Sequence, residues 1–267
     1  MKYLTLGHRL PHAIAAPLFG DRARFGLVVK PDDPCWREWQ ATYLKFYYAT
    51  QKRSVGSVVN DAGYRVMDRV DLTGKEVLEI GPGDINHIDC WRGTPSRFVI
   101  ADIQQAMLDV SSRKLSARGI AHECRLIERA DRGVLPFDDG RFDVIVSFYS
   151  LEHLYPLAPY VDGMLRVLKP GGILMGAIPA EGGVGWGLGR FLTSRRWFRK
   201  HTTINPDKVI CWEHPNFAED VLNTLDRKMT QQYLGFWPLA LPSVDLNLVI
   251  KFVYAKVDAP MSGGPTG

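Results

Sequence analysis

Two short apolar runs end in acids, and a glycine turn follows the first. Val77-Leu78-Glu79-Ile80 leads into Gly81-Pro82-Gly83-Asp84, and Arg97-Phe98-Val99-Ile100-Ala101 ends at Asp102. Glycines at a strand end let the backbone approach a ligand closely. An acid at the tip of the next strand can accept hydrogen bonds from both hydroxyls of a ribose. The pattern points to a cofactor built on a nucleoside. A dinucleotide fingerprint would need a third glycine at 86, where the chain has Asn86, and a second known spacing would need it at 85, where the chain has Ile85.

Further residues follow in order. Asp131 precedes Leu135-Pro136-Phe137, Phe142-Asp143 opens an apolar run, Glu152-His153 comes after it, and Arg166-Val167-Leu168-Lys169-Pro170-Gly171-Gly172 closes the series. Together with Glu79 to Gly83 and Asp102, this set resembles the class I S-adenosylmethionine-dependent methyltransferases, over roughly positions 75 to 180. The resemblance implies S-adenosylmethionine as the cofactor. Glu79 would reach its ammonium, Gly81, Pro82 and Gly83 its methionine part, and Asp102 with Ile103 the ribose. Asp131 would hold the adenine amino group, with Arg132 beside it and Ser147 at the end of the fourth strand.

Methyl transfer is an in-line displacement, so a base is needed only where the acceptor must lose a proton. His153, just beyond the fourth strand, is the candidate base, and its alternative reading is a hydrogen-bonded histidine that starts the next helix. The Glu152-His153 pair also resembles metal-assisted ubiquinone O-methyltransferases. Those carry a further glutamate three residues earlier, where this chain has Tyr149. No metal is expected from two ligands. Tyr149, Arg195, Arg196 and His214 are the candidate acceptor-binding residues. His201 and Glu213 are further candidates, each better read as structural or solvent-exposed.

These side chains need a scaffold. Apolar runs predict strands near 75–80, 97–102, 124–129, 142–148, 172–178, 228–234 and 246–256, and helices near 84–91, 105–118, 157–168 and 215–226. Alternation of this kind predicts an α/β fold, a doubly wound, mostly parallel sheet with helices on both faces. The family resemblance implies seven strands with the last antiparallel. Residues 1–70 read as an N-terminal extension and helical cap, 71–257 as the catalytic domain, and 258–267 as a disordered tail. Trp36, Trp39, Tyr43, Phe46 and Tyr47 recur at helical spacing, which could wall an acceptor pocket but fits a face packed on the core better. A second helix is read over 57–70.

The connection from 180 to 214 holds Gly182, Gly183, Gly185, Gly187 and Gly189, then Arg190, Arg195, Arg196, Arg199 and Lys200, with no acid between Gly182 and Pro206. Connections this long are usually functional. Its 182–201 part reads either as a mobile lid holding an anionic acceptor or as a solvated amphipathic helix, with a surface contact to anionic lipid as a third reading.

The bulk properties exclude little. A formal charge of +4, 46% hydrophobic and 23% charged residues fit a globular protein without a nucleic-acid surface. Four scattered cysteines and the lack of a long apolar run suggest a cytoplasmic chain without a membrane span. The leading expectation is a methyltransferase acting on a small molecule, such as a saccharide or secondary-metabolite hydroxyl or amine. The segments 212–217 and 245–249 faintly resemble methyltransferases of bacterial cell-surface sugar pathways. An RNA or protein methyltransferase, an NAD dehydrogenase and a non-catalytic binding protein are the alternatives.

Overall fold

β-Branched and aromatic residues at the predicted runs form one seven-stranded sheet. The computed structural model describes residues 3–46, 55–128 and 133–257. The strands are β1 (Glu76–Ile80), β2 (Arg97–Asp102), β3 (His122–Leu126), β4 (Phe142–Phe148), β5 (Leu168–Pro179), β6 (Met229–Trp237) and β7 (Val249–Lys256). Their order is β3-β2-β1-β4-β5-β7-β6, with β7 antiparallel to both neighbours. The Lys169-Pro170-Gly171-Gly172 turn lies inside the start of β5 as a register shift, with Gly171 at φ 66°.

The helices are α1 (His12–Phe19), α2 (Arg22–Phe25), α3 (Pro34–Phe46), α4 (Val55–Tyr64), α5 (Gln105–Ala117), α6 (Leu157–Val167), α7 (Val184–Leu192), α8 (Ser194–His201), α9 (Pro206–Glu213) and α10 (Ala218–Lys228). Successive side chains of a strand face opposite ways, so the sheet has two apolar faces. Leu78, Val99, Ile145 and Leu174 pack with α6 and α10, while Val77, Phe98, Ile100 and Val144 pack with α5 and the 3-10 turn Arg65–Arg69.

A helix was expected at 84–91, and the structure has only the 3-10 turn Ile88–Cys90 there. Gly81, Gly83 and Ile85 all take positive φ, at 68°, 56° and 39°. An L side chain in that region is strained, but Ile85 is 1% exposed within the sheet-face core. Its burial offsets the strain, so the turn keeps the left-handed course where a glycine is absent.

The 180–214 connection forms α7, α8 and α9. Its glycines are close-approach sites. A Cβ on Gly182 would meet the Phe217 ring at 2.7 Å, and one on Gly187 the Phe19 ring at 2.8 Å. The N-terminal extension packs on the same helices. Trp36 and Trp39 of α3 bury themselves with Phe198, Ile204, Val209 and Trp212. Of the rest of the predicted aromatic face, Tyr43 packs against this cluster, while Tyr47 and residues 258–267 lie outside the described residues. Asp245 joins the two regions, accepting from the backbone N–H of Leu6 (2.6 Å), Gly7 (2.9 Å) and Val184 (3.2 Å).

Candidate active site

The carboxyl ends of β1, β2 and β4 meet where the strand order reverses, the usual ligand crevice of an open α/β sheet. Asp102 closes β2 at 8% exposure, and its Oδ1 accepts from the Gln104 N–H at 2.8 Å. Burial pushes its carboxyl up to about 6, against backbone hydrogen bonds that pull the other way. Ile103, next to it, is exposed along the crevice wall.

Glu79 is fully buried. Its Oε1 meets His87 Nε2 at 2.8 Å, while Oε2 has no hydrogen-bond partner among the described residues. A buried carboxylate oxygen without a donor is costly, and the ammonium of S-adenosylmethionine would supply one. Gly81 lies against Ser150, whose Cβ a side chain there would strike at 2.8 Å. The acid at β2, the orphan oxygen at β1 and the left-handed glycines fit the cofactor that the motifs imply.

A cavity of about 270 Å³ runs outward from this end. Ile80, Ile103, Ile127 and Leu135 line its inner wall, and His153, Leu154 and Tyr155 stand further along. The outer wall comes from Leu27, Val28, Val29 and Trp212, none of which the motifs singled out as a site wall. Trp212 could have been found only by knowing that α9 folds over the turn after β4.

His153 sits in the 3-10 turn Leu151–His153. Asn216 fastens this turn from the α9–α10 connection, donating through Nδ2 to the carbonyls of Leu151 (3.1 Å) and Leu154 (2.7 Å). The His153 Nδ1 bonds the Glu213 carbonyl, and its Nε2 lies 3.8 Å from Glu152 Oε1. Burial disfavours the charged ring, yet the bond to Glu213 and the charges of Glu152 and Glu213 outweigh it and raise His153 to about 9. The ring is therefore cationic near neutral pH, which corrects the expectation of a free general base.

His214 lies beside it, its ring tilted by 57° at 4.6 Å between ring centroids. Burial and the nearby Arg190 charge push His214 down to about 4, and burial raises Glu152 to about 7. Arg190 itself is spent on a two-pronged pair with Glu181, at 2.7 and 2.5 Å. Burial would raise Glu181, but the Arg190 charge holds it well below the usual carboxylate range.

Other expected residues lie elsewhere. Tyr149 turns away from the cavity, and its hydroxyl donates to the carbonyls of Val59 and Asn60, both at 3.0 Å. Ser147 is fully buried and bonds the Ser150 hydroxyl at 2.6 Å, so Ser150 takes the place beside Gly81. Arg195 is 2% exposed, bonded to Asp207 at 2.5 Å and to the Ala16 carbonyl at 3.1 Å. Arg196 is exposed on the other side of α8. The two arginines do not form an anion clamp, because Asp207 and Glu181, the acids just outside the acid-free stretch, neutralise Arg195 and Arg190. Asp131 and Arg132 lie outside the described residues.

Comparison with known proteins agrees with this geometry. A family described as "Methyltransferase domain" matches residues 78–176. The ubiquinone/menaquinone biosynthesis C-methyltransferase UbiE of Idiomarina loihiensis is 43% identical over 102 residues, covering 37% of this chain and 40% of that protein. Its counterpart in Azotobacter vinelandii is 38% identical over 105 residues, covering 38% and 41%. The chain thus spans about two fifths of the length of the curated relatives it matches. A Haloferax volcanii protein solved in complex with the Trm112 methyltransferase activator superposes with a TM-score of 0.54 at 15% identity, over 86% of this chain and 99% of that one. That likeness shows the fold, and the sequence matched to the family runs from within β1 through β2, β3 and β4 to Gly176 in β5. The core of this chain is a class I S-adenosylmethionine-dependent methyltransferase domain.

Proposed function

We propose that the chain transfers a methyl group from S-adenosylmethionine to a small aromatic acceptor carrying an ionisable hydroxyl. The observation that carries this reading is the continuous cavity from Ile103, beside Asp102, to His153. One end suits a nucleoside and the other ends on a cationic imidazole. S-adenosylmethionine brings the electrophilic methyl group, so the protein's part is to bind, align and exclude water. Asp102 would accept from the ribose hydroxyls and Glu79 from the ammonium. His153 would donate from its ring to the acceptor oxygen and favour its anionic form, which makes that oxygen, or the ring carbon it activates, the nucleophile.

The outer wall of Leu27, Val29 and Trp212 suits a flat apolar body better than a bare saccharide. The relatives named for quinone C-methylation support the same acceptor class. No helix of the described residues is long and apolar enough to cross a membrane, so such an acceptor would be met at the cavity mouth, where Val28 and Val134 are exposed.

Two measurements test the reading. Calorimetry should show S-adenosylhomocysteine binding and no comparable NAD binding. Incubation with methyl-labelled S-adenosylmethionine and a panel of phenols, quinols and sugars should label the first two groups. Label appearing only in sugars would reject the acceptor class, and NAD binding without S-adenosylhomocysteine binding would reject the enzyme class.

A further inference from the structure

We propose that Glu152, His153 and His214 bind a divalent transition-metal ion where His153 lines the acceptor cavity. Sequence spacing offered two of these ligands, and the fold brings the third from the C-terminal end of α9. One ligand atom from each lies within 4.8 Å of the others. Zn–N and Zn–O distances of about 2.1 Å place two ligands of one ion at most ~4.2 Å apart, so a side-chain shift of under ~1 Å closes the set.

One of the atoms has no other employment. Glu152 Oε2 is buried without a hydrogen-bond partner among the described residues, while His214 Nδ1 lies 3.2 Å from Glu181 Oε2. Glu152 is 2% exposed, and leaving a carboxylate oxygen unsatisfied at that depth costs free energy that a cation would recover. The third ligand is already oriented. His153 Nδ1 is held by the Glu213 carbonyl, which leaves Nε2 directed toward Glu152; there the ion would replace the ring proton, and its charge would take over the ring's part in favouring the acceptor anion. An outer acceptor on the far ring nitrogen is the usual way a ligating histidine is fixed. Asn216 fastens the turn that carries Glu152 and His153, and Arg22 donates to the carbonyls of His214 and Pro215 at 2.9 and 2.7 Å, so both strands of the cluster are anchored from behind.

Charge is also suitable. Arg190, whose charge acts on His214, is neutralised by Glu181, whose Oε2 lies 3.2 Å from His214 Nδ1. Two imidazoles and one carboxylate select zinc, cobalt, nickel or iron over magnesium and calcium, which prefer oxygen alone. Three protein ligands leave coordination positions open. His153 lines the cavity, so an acceptor oxygen would complete the shell. That last role rests on the methyltransferase reading, whereas ion binding itself does not.

The test is a Co²⁺ titration of the full-length chelator-treated protein, followed by visible absorption, with S-adenosylhomocysteine affinity measured on the same samples. One equivalent should bind. Glu152→Gln and His214→Ala should each weaken binding at least about tenfold, while His201→Ala, at an exposed histidine bonded to the Trp197 carbonyl, should not. X-ray absorption of the wild-type Co²⁺ form should show two imidazoles, which keeps the test decisive where a variant fails to fold. Binding unaffected by both ligand variants, or a shell of oxygen atoms alone, would overturn the site. S-adenosylhomocysteine binding without Co²⁺ binding would remove the metal and leave the proposed function standing.

Discussion

Trp91 fixes the protonation of His87. Its indole nitrogen can only donate, and it meets His87 Nδ1 at 2.8 Å. His87 therefore accepts at Nδ1 and carries its proton on Nε2, which donates to Glu79 Oε1 at 2.8 Å. The acid expected to meet the cofactor ammonium is thus aimed by a three-residue chain.

His87→Ala should leave Glu79 buried without its donor. Stability should fall by about 2–3 kcal/mol, read from the urea midpoint, and S-adenosylhomocysteine affinity should fall with it. His87→Gln keeps a donor and should restore much of both. Equal losses in the two variants would show that the ring serves packing only.

Cofactor binding should depend on pH through Asp102. Its carboxyl is raised to about 6 by burial, and ribose hydroxyls favour the ionised form. Affinity should be constant above pH 7 and decline as pH falls through 6, with protons released on binding near pH 6. For the unliganded protein the sign is opposite. A raised acid costs stability when ionised, so this group's contribution improves as pH falls through 6. Asp102→Asn should flatten the pH dependence of binding, and Asp102→Ala should weaken it by about 2–3 kcal/mol.

Arg195→Ala should lower stability by about 3 kcal/mol, because it strips a buried pair with Asp207. Arg196→Ala should change neither stability nor acceptor KM measurably. A raised acceptor KM for Arg196→Ala would return the basic segment to the site.

Asn216→Ala should loosen the turn that presents His153. Turnover should drop about tenfold or more while S-adenosylhomocysteine affinity stays near wild type, since Asn216 bonds the Leu151 and Leu154 carbonyls and touches nothing at Asp102. Loss of cofactor affinity in step with turnover would mean that the whole crevice depends on this staple.

The cofactor end was legible because its chemistry is local. A strand, a left-handed turn and an acid at the next strand tip are contiguous in sequence, and the fold sets Glu79, Gly81, Gly83 and Asp102 at the carboxyl ends of β1 and β2. The acceptor end was legible only in part. His153 was found by its place after β4, but its neighbours His214, Glu213 and Trp212 are some sixty residues away, and no spacing rule joins them. Ile85 was read as a break in the glycine pattern, although its side chain is what fastens the turn to the core. The arginines of α7 and α8 have no acid within their own stretch, and Glu181 and Asp207, which pair with Arg190 and Arg195, stand just beyond its two ends. Tyr149 was aimed at the acceptor from its position in the chain, and its φ of 52° sends it to α4 instead.

The cavity wall has two origins. Ile80, Ile103 and Leu135 belong to the stretch that matches the methyltransferase domain, whereas Leu27, Val29 and Trp212 lie outside it. On the proposed function, most of the wall facing the methyl donor and much of the wall facing its recipient would thus be separable in the gene. Drift in the second can proceed without disturbing the first, and a chimera exchanging residues 1–46 and 180–217 between two such chains should move acceptor preference as a unit.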